Sequence, residues 1–286
     1  MGTSNPYGGP KDGLLPSWLD KPTPIPAPPG GLPPAPVPPG SPAPAPQPPQ
    51  PQPAPQAPLS PGKGGSLAGA RNSFTRFAGS GSRSSLDGGL SSYVRGAGGS
   101  SGATRRMGSS RGAAAAILGV ARDYQNAGPA GVLSRFNLQT LAGRSAEEVF
   151  TRLIDHLCPA GGTVDEAIAR TGMLEAIDQL VEADVGAFDQ LTPEQLEEFV
   201  ANFISNTIEA RVLNDIGTRG ISLPNDVAAV DNIQDQLHDA ISGCVRESLA
   251  GKLGGLAALA DQDVARMVDR LYEGAFALIA VLVDAA

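Results

Sequence analysis

From residue 101 onward, apolar side chains recur at spacings of three and four, and no alternating run bounded by hairpin turns interrupts them. The pattern predicts an all-α domain over residues 101–286, a helical bundle of about seven helices. The alanines at 113–116, then Ile117, Leu118, Ala121 and Tyr124, fall on a first long helix. It should stop near Gly128-Pro129, where proline removes a backbone donor and restricts the residue before it. A short helix through Val132, Leu133 and Phe136 follows. Ser145-Ala146-Glu147-Glu148 and Thr163-Val164-Asp165-Glu166 read as capping boxes, in which hydroxyl and carboxylate satisfy the free amides of a first turn. The helices they open carry Val149, Phe150, Leu153, Ile154 and Leu157, then Ile168, Leu174, Ile177, Leu180 and Val181.

Thr192-Pro193-Glu194-Gln195 repeats the start signal with proline at the first helical position. The run that follows, from Leu196 through Phe199, Phe203, Ile204, Ile208 and Val212 to Ile216, should be the central helix, with Gly217 ending it. Leu223-Pro224-Asn225 is expected to begin a helix with Val227, Val230, Ile233, Leu237, Ile241 and Val245. Asp261 is the expected cap of the last, whose stripe is Val264, Met267, Val268, Leu271, Phe276, Ile279 and Leu282.

Upstream the pattern weakens. Residues 63–100 form a Gly, Ser and Arg segment with two short apolar clusters, Leu67, Ala70, Phe74 and Phe77, then Leu86, Leu90 and Tyr93. Helices this short are marginal alone, so they need a partner surface, on this chain or another. Residues 1–62 hold 23 of the 27 prolines and are expected to be disordered, an extended spacer of polyproline type. Leu14, Leu15, Trp18 and Leu19 are a small apolar cluster within it, with Trp18 either an anchor for a partner's pocket or a weak dock on its own domain.

Charge sharpens this division. Residues 1–62 are neutral, residues 63–112 carry eight cations against Asp87 alone, and the whole chain is at −8, which leaves the remaining 174 residues at −15. An acidic domain beside a basic segment allows that segment to pack on its own domain or on an acidic neighbour. The other use of that segment is nucleic-acid binding, with Arg105, Arg106 and Arg111 on phosphates and aromatic residues stacked on bases. No run approaches the roughly 20 apolar residues of a membrane span, so no membrane partner is expected. The opening residues do not form a secretory leader, and two cysteines are too few for a disulfide framework, so a cytoplasmic setting is expected.

Candidate chemistry is sparse. His156 and Cys158 lie two apart, about 200° around a helix, and His238 and Cys244 lie six apart, so neither pair suits a metal. The cysteines read as buried small hydrophobes. Acidic residues fall mostly in first helical turns or on polar faces, and no catalytic residues, metal or cofactor are expected. The polar stretch from Glu209 to Arg219 stands out. Arg211 and Asp215 are four apart and can pair on one helix face, and Glu209, Arg211, Asn214 and Asp215 are candidate partner-binding residues, as are Phe74 and Phe77. At the other end, Gly2 would present a free amine once Met1 is removed, a usable nucleophile near neutral pH. Pro6 stands where a myristoylation signal requires Ser or Thr.

Several segments together resemble the QatB family: Met1-Gly2-Thr3-Ser4 with Tyr7-Gly8-Gly9-Pro10, Pro16-Ser17-Trp18, Phe74-Thr75-Arg76-Phe77 and Arg105-Arg106-Met107-Gly108-Ser109-Ser110-Arg111. Cys158-Pro159-Ala160-Gly161-Gly162 and Ile208-Glu209-Ala210-Arg211-Val212-Leu213-Asn214-Asp215-Ile216-Gly217 continue the series in the same order. The resemblance implies a component of a bacterial Qat antiphage defence system, working with a P-loop ATPase, a QueC-like enzyme and a TatD-like nuclease. It also implies a non-enzymatic adaptor, since the family brings no catalytic residues. QueC-type enzymes activate a deazaguanine carboxylate with ATP and let an amine attack it. The resemblance therefore offers Gly2 as the attacking amine, Thr3 and Ser4 as residues threaded into the partner's site, and Trp18 as an anchor outside it. A nucleic-acid-binding sensor using Arg105, Arg106 and Arg111 is the alternative.

Overall fold

The computed structural model describes residues 66–159, 161–217 and 226–284, all within one unit, Ala57–Ala286. Gly2, Thr3, Ser4 and Trp18 lie outside the described residues, as do Leu223-Pro224-Asn225. Among the described residues the regular structure is helical: α1 (Ala68–Ser80), α2 (Arg83–Gly96), α3 (Gly99–Arg105), α4 (Gly108–Arg135), α5 (Ala146–Leu157), α6 (Val164–Glu182), α7 (Pro193–Ile216), α8 (Val227–Leu249) and α9 (Asp261–Ala280), with four short 3-10 turns and no strand. The all-α expectation is met. α4 is two helices in one span, because Gly128 leaves the helical region (φ 69°, ψ 179°) just before Pro129. With that break, the expected seven helices after residue 101 are all present, and α1 to α3 precede them.

α7 runs through the middle. From Phe199 to Ile208 only Asn202 keeps appreciable exposure, so α7 is buried all round there, with α4, α6 and α8 packed against it. A helix buried on every side must satisfy its polar side chains internally. Ser205 donates to the Ala201 carbonyl (2.8 Å), Thr207 shares a hydrogen bond with the Tyr272 hydroxyl (2.9 Å), and Asn206 donates to the Gln179 side chain (3.2 Å). α6 approaches closely because Gly172 has no side chain. A Cβ there would stand 2.6 Å from Thr207 Cγ2, well inside contact distance. α9 is the second hub, touching α2, α3, α4 and α8.

The basic segment finds its partner surface on this chain. Phe74, Phe77, Leu86, Leu90, Tyr93 and Val94 are at most 5% exposed and belong to the same core as α4 to α9. α1 and α2 form a hairpin, closed where Gly89 leaves room for the Phe74 ring, and α2 lies on α9. Ser91 also donates to the Ala280 carbonyl at 2.6 Å. Among the described residues the core therefore includes the segment before residue 101.

Other local expectations divide. Thr163/Glu166 and Thr192/Gln195 make complete capping boxes. Ser145 makes only its half, accepting from the Glu148 amide, while the Glu148 carboxylate lies 4.0 Å from Arg144. Asp261 does not cap α9: it occupies the first helical position after Ala260 and pairs with Arg122 at 2.7 Å. Leu174 and Val181, placed by spacing on the buried face of α6, are 46% and 47% exposed. Ala169, Gly172, Met173 and Ala176 are buried there together with Ile168, Ile177 and Leu180, and the missing side chain of Gly172 sets the close approach to α7. Val227 is likewise 73% exposed, and burial along α8 starts only at Leu237. Cys158 and Cys244 are free and buried, as expected.

Candidate functional site

Glu209 to Gly217 of the polar stretch singled out in the sequence lie at the C-terminal end of α7, where unpaired carbonyls and the helix dipole attract cations, while Thr218 and Arg219 lie outside the described residues. Arg71, from α1, donates through Nε to the Ile216 carbonyl at 2.9 Å and through Nη2 to the Asp215 carbonyl at 3.4 Å. Gly217 (φ 75°) closes the helix, with its amide bonded to the Leu213 carbonyl at 3.0 Å.

Asp215 is the centre of this cluster. Its Oδ2 accepts from the Tyr93 hydroxyl and from Arg106 Nη1, each at 3.0 Å. Its Oδ1 lies 3.3 Å from Arg211 Nε, the i, i+4 pair expected from the sequence, although the guanidinium is not aligned for a hydrogen bond there. Arg211 turns its other edge to Asp165 at the start of α6. The Asp215 side chain is 10% exposed, so two cations and a phenol surround a carboxylate nearly removed from water. Burial first, and then the Asp215 charge, push the Tyr93 phenol far above its ordinary range, so it remains a hydrogen-bond donor. One side chain thus ties α2, the α3–α4 junction and α7 together, and through Arg211 it reaches α6.

The structure brings Phe74, Phe77, Arg106, Arg211 and Asp215 into one region but gives them mostly internal partners. Phe74 and Phe77 are buried and Asn214 is exposed. Glu209, six residues before Asp215 on α7, bonds His238 of α8 at 3.0 Å. That bond raises the His238 pKa, against partial desolvation that lowers it. Of the three arginines considered for phosphate contact, Arg106 is paired with Asp215, Arg111 pairs with Asp269 at 2.5 Å, and Arg105 is exposed. Arg83 pairs with Asp87 at 3.1 Å, which further neutralises the basic segment.

The sequence reading missed Tyr93 and Asp165 as members of the cluster, Arg71 as the cap of α7, and His238 as the partner of Glu209. These contacts span between 29 and 145 residues of chain, a separation at which helical periodicity carries no signal. Among the described residues no three of His, Cys, Asp or Glu converge as a metal site.

Beside this cluster α7 and α8 border two depressions that meet at Leu213. One is apolar, between α1, the end of α7 and α8. The other is acidic, between α6, α7 and α8. Large apolar side chains exposed on these helices include Leu174, Val181, Leu213 and Val227.

Residues 98–279 match a protein-family model described as Qat anti-phage system associated protein QatB. No curated protein and no solved structure matches the chain. The matched span begins after α2, so it contains Arg106, Arg211 and Asp215 but not Arg71 or Tyr93.

Proposed function

Because this chain belongs to the QatB family and is a component of the Qat antiphage defence system, we propose that it is a non-enzymatic adaptor of a bacterial Qat complex. In this reading the helical domain docks on the other defence proteins, foremost the P-loop ATPase and also the TatD-like nuclease. The observation that supports docking is the set of exposed large apolar side chains on α6, α7 and α8. Side chains of this kind shared by neighbouring helices mark surfaces that a partner covers. The domain beneath them is closely packed and internally paired, which suits a rigid platform.

The N-terminal arm has a different role in this proposal. It presents Gly2 to the QueC-like protein as a substrate. ATP activates the carboxyl carbon of a deazaguanine; the Gly2 nitrogen attacks it, an amide bond forms, the activating group leaves, and the nitrogen gives up a proton. Thr3 and Ser4 are small enough to enter the partner's site, and Trp18 anchors outside it. The test is the intact mass and the N-terminal peptide mass of the protein, purified alone and after co-expression with the QueC-like partner. A deazaguanine-sized increment on Gly2 only after co-expression is the expected result. An unmodified Gly2 in both samples would leave the arm without this role.

A further inference from the structure

Leu213 is 41% exposed and stands on the ridge between the two depressions. On one side lies a slot of about 170 Å³ walled by Phe74, Phe77, Ile216, Ile233 and Leu237. Its walls are fixed by the core, so it is a preformed receptor for one large apolar or aromatic side chain, the kind that anchors protein interfaces. On the other side lies a trough of about 380 Å³ whose ionisable lining is Glu175, Asp178, Glu182, Glu209 and His238.

The trough is electrostatically unbalanced. Four carboxylates face one imidazole, and that imidazole is already bonded to Glu209. Desolvation, and then the neighbouring Glu209 charge, raise the pKa of Glu175, while His238 opposes them. Among the described residues no Lys or Arg lines it. The step along α7 from Ile216 in the slot to Glu209 in the trough is two helical turns, about 10 Å.

We propose that slot and trough together bind a segment of a partner protein carrying one large apolar or aromatic side chain, with Lys or Arg residues one to two helical turns from it. Calling the occupant a partner protein rests on the adaptor reading. The slot supplies affinity through apolar burial, and the trough supplies orientation and charge selection.

The test uses the full-length chain and a labelled synthetic peptide of about 15 residues. The peptide has one Trp anchor and Lys residues three, four and seven positions from it. Two analogues accompany it, one with every Lys replaced by Glu and one with the Trp replaced by Ser. Fluorescence anisotropy is expected to show binding of the parent peptide that weakens with salt, with both analogues at least about tenfold weaker. Leu213→Ser and the double variant Glu175→Lys/Asp178→Lys alter exposed positions and should each weaken the parent peptide at least about tenfold, with helical circular dichroism unchanged. Glu147→Lys, on the exposed face of α5, should bind as the unaltered protein does. Equal binding of all three peptides, no binding, or variants that bind like the unaltered protein would overturn the proposal. A variant that failed to fold would leave the peptide series to decide.

The adaptor reading fails separately. Loss of peptide binding in the variants, together with no retention of any defence protein by the full chain, would refute only that reading. Retention of a defence protein undisturbed by the same variants would refute only this surface.

Discussion

Replacing Asp215 by Ala removes the shared acceptor of Tyr93 and Arg106 and the near neighbour of Arg211. Tyr93 is fully buried, so its hydroxyl would lose its partner without gaining water, at a cost of about 1–3 kcal/mol. Arg211 keeps Asp165, and the Arg106 side chain is 29% exposed, so the two guanidinium groups add less than a fully buried pair would. A total of about 3 kcal/mol follows. For a domain of this size that lowers Tm by about 6–12 °C. Asp215→Asn keeps a carbonyl acceptor for Tyr93 and removes only the charge, so it should cost about half as much. Urea denaturation of the full chain followed by circular dichroism gives both values, and a cycle with Arg106→Ala should show coupling of at least about 0.5 kcal/mol. A loss below about 1 kcal/mol for the Ala variant, or an Asn variant as damaged as Ala, would refute the placement of Asp215 at the centre of the fold's polar clamp.

Three other outcomes follow from the same packing. A chain beginning at residue 98, the start of the family match, lacks α1 and α2 and should melt without a cooperative transition, while one beginning at residue 66 melts cooperatively; equal transitions would show α1 and α2 to be dispensable. Burial pushes the Cys158 and Cys244 thiols up to about 11, so the native protein should react with iodoacetamide at pH 8 only as fast as it unfolds, and rapid labelling of either residue would contradict their burial. Because Glu209 raises the pKa of His238, the pair stabilises the fold fully below the ordinary histidine value of about 6.5, and its contribution is lost as pH rises through the folded pKa. Denaturant titrations of the unaltered protein and Glu209→Gln from about pH 5.5 to 8.5 should therefore converge with rising pH, and a gap that widened would reverse the assignment.

The helices after residue 101 were legible because each carries its own punctuation. Thr163 and Thr192 cap, Gly128-Pro129 breaks and Gly217 stops, and all four signals act within one turn of chain. What a helix faces is a longer-range matter. Leu174 and Val181 have the right spacing for a core stripe, yet the close approach of α6 to α7 at Gly172 turns them outward. The basic segment was legible as unstable alone, but whether it packs on this domain or on a neighbour was not, because Phe74, Phe77 and Tyr93 meet residues more than a hundred positions away. The Arg211–Asp215 pair was visible as an i, i+4 spacing. Tyr93 and Arg106 converge on it only through the folded path of α2 and α3.

The adaptor claim is tested most directly by co-purification. The full-length chain, tagged and co-expressed with the ATPase, the QueC-like enzyme and the TatD-like nuclease, is passed over a sizing column after affinity capture. Co-elution of the ATPase at a fixed ratio, and its loss with Leu213→Ser or Glu175→Lys/Asp178→Lys, is the expected result. A chain that elutes alone while the other proteins remain folded and soluble would contradict the account.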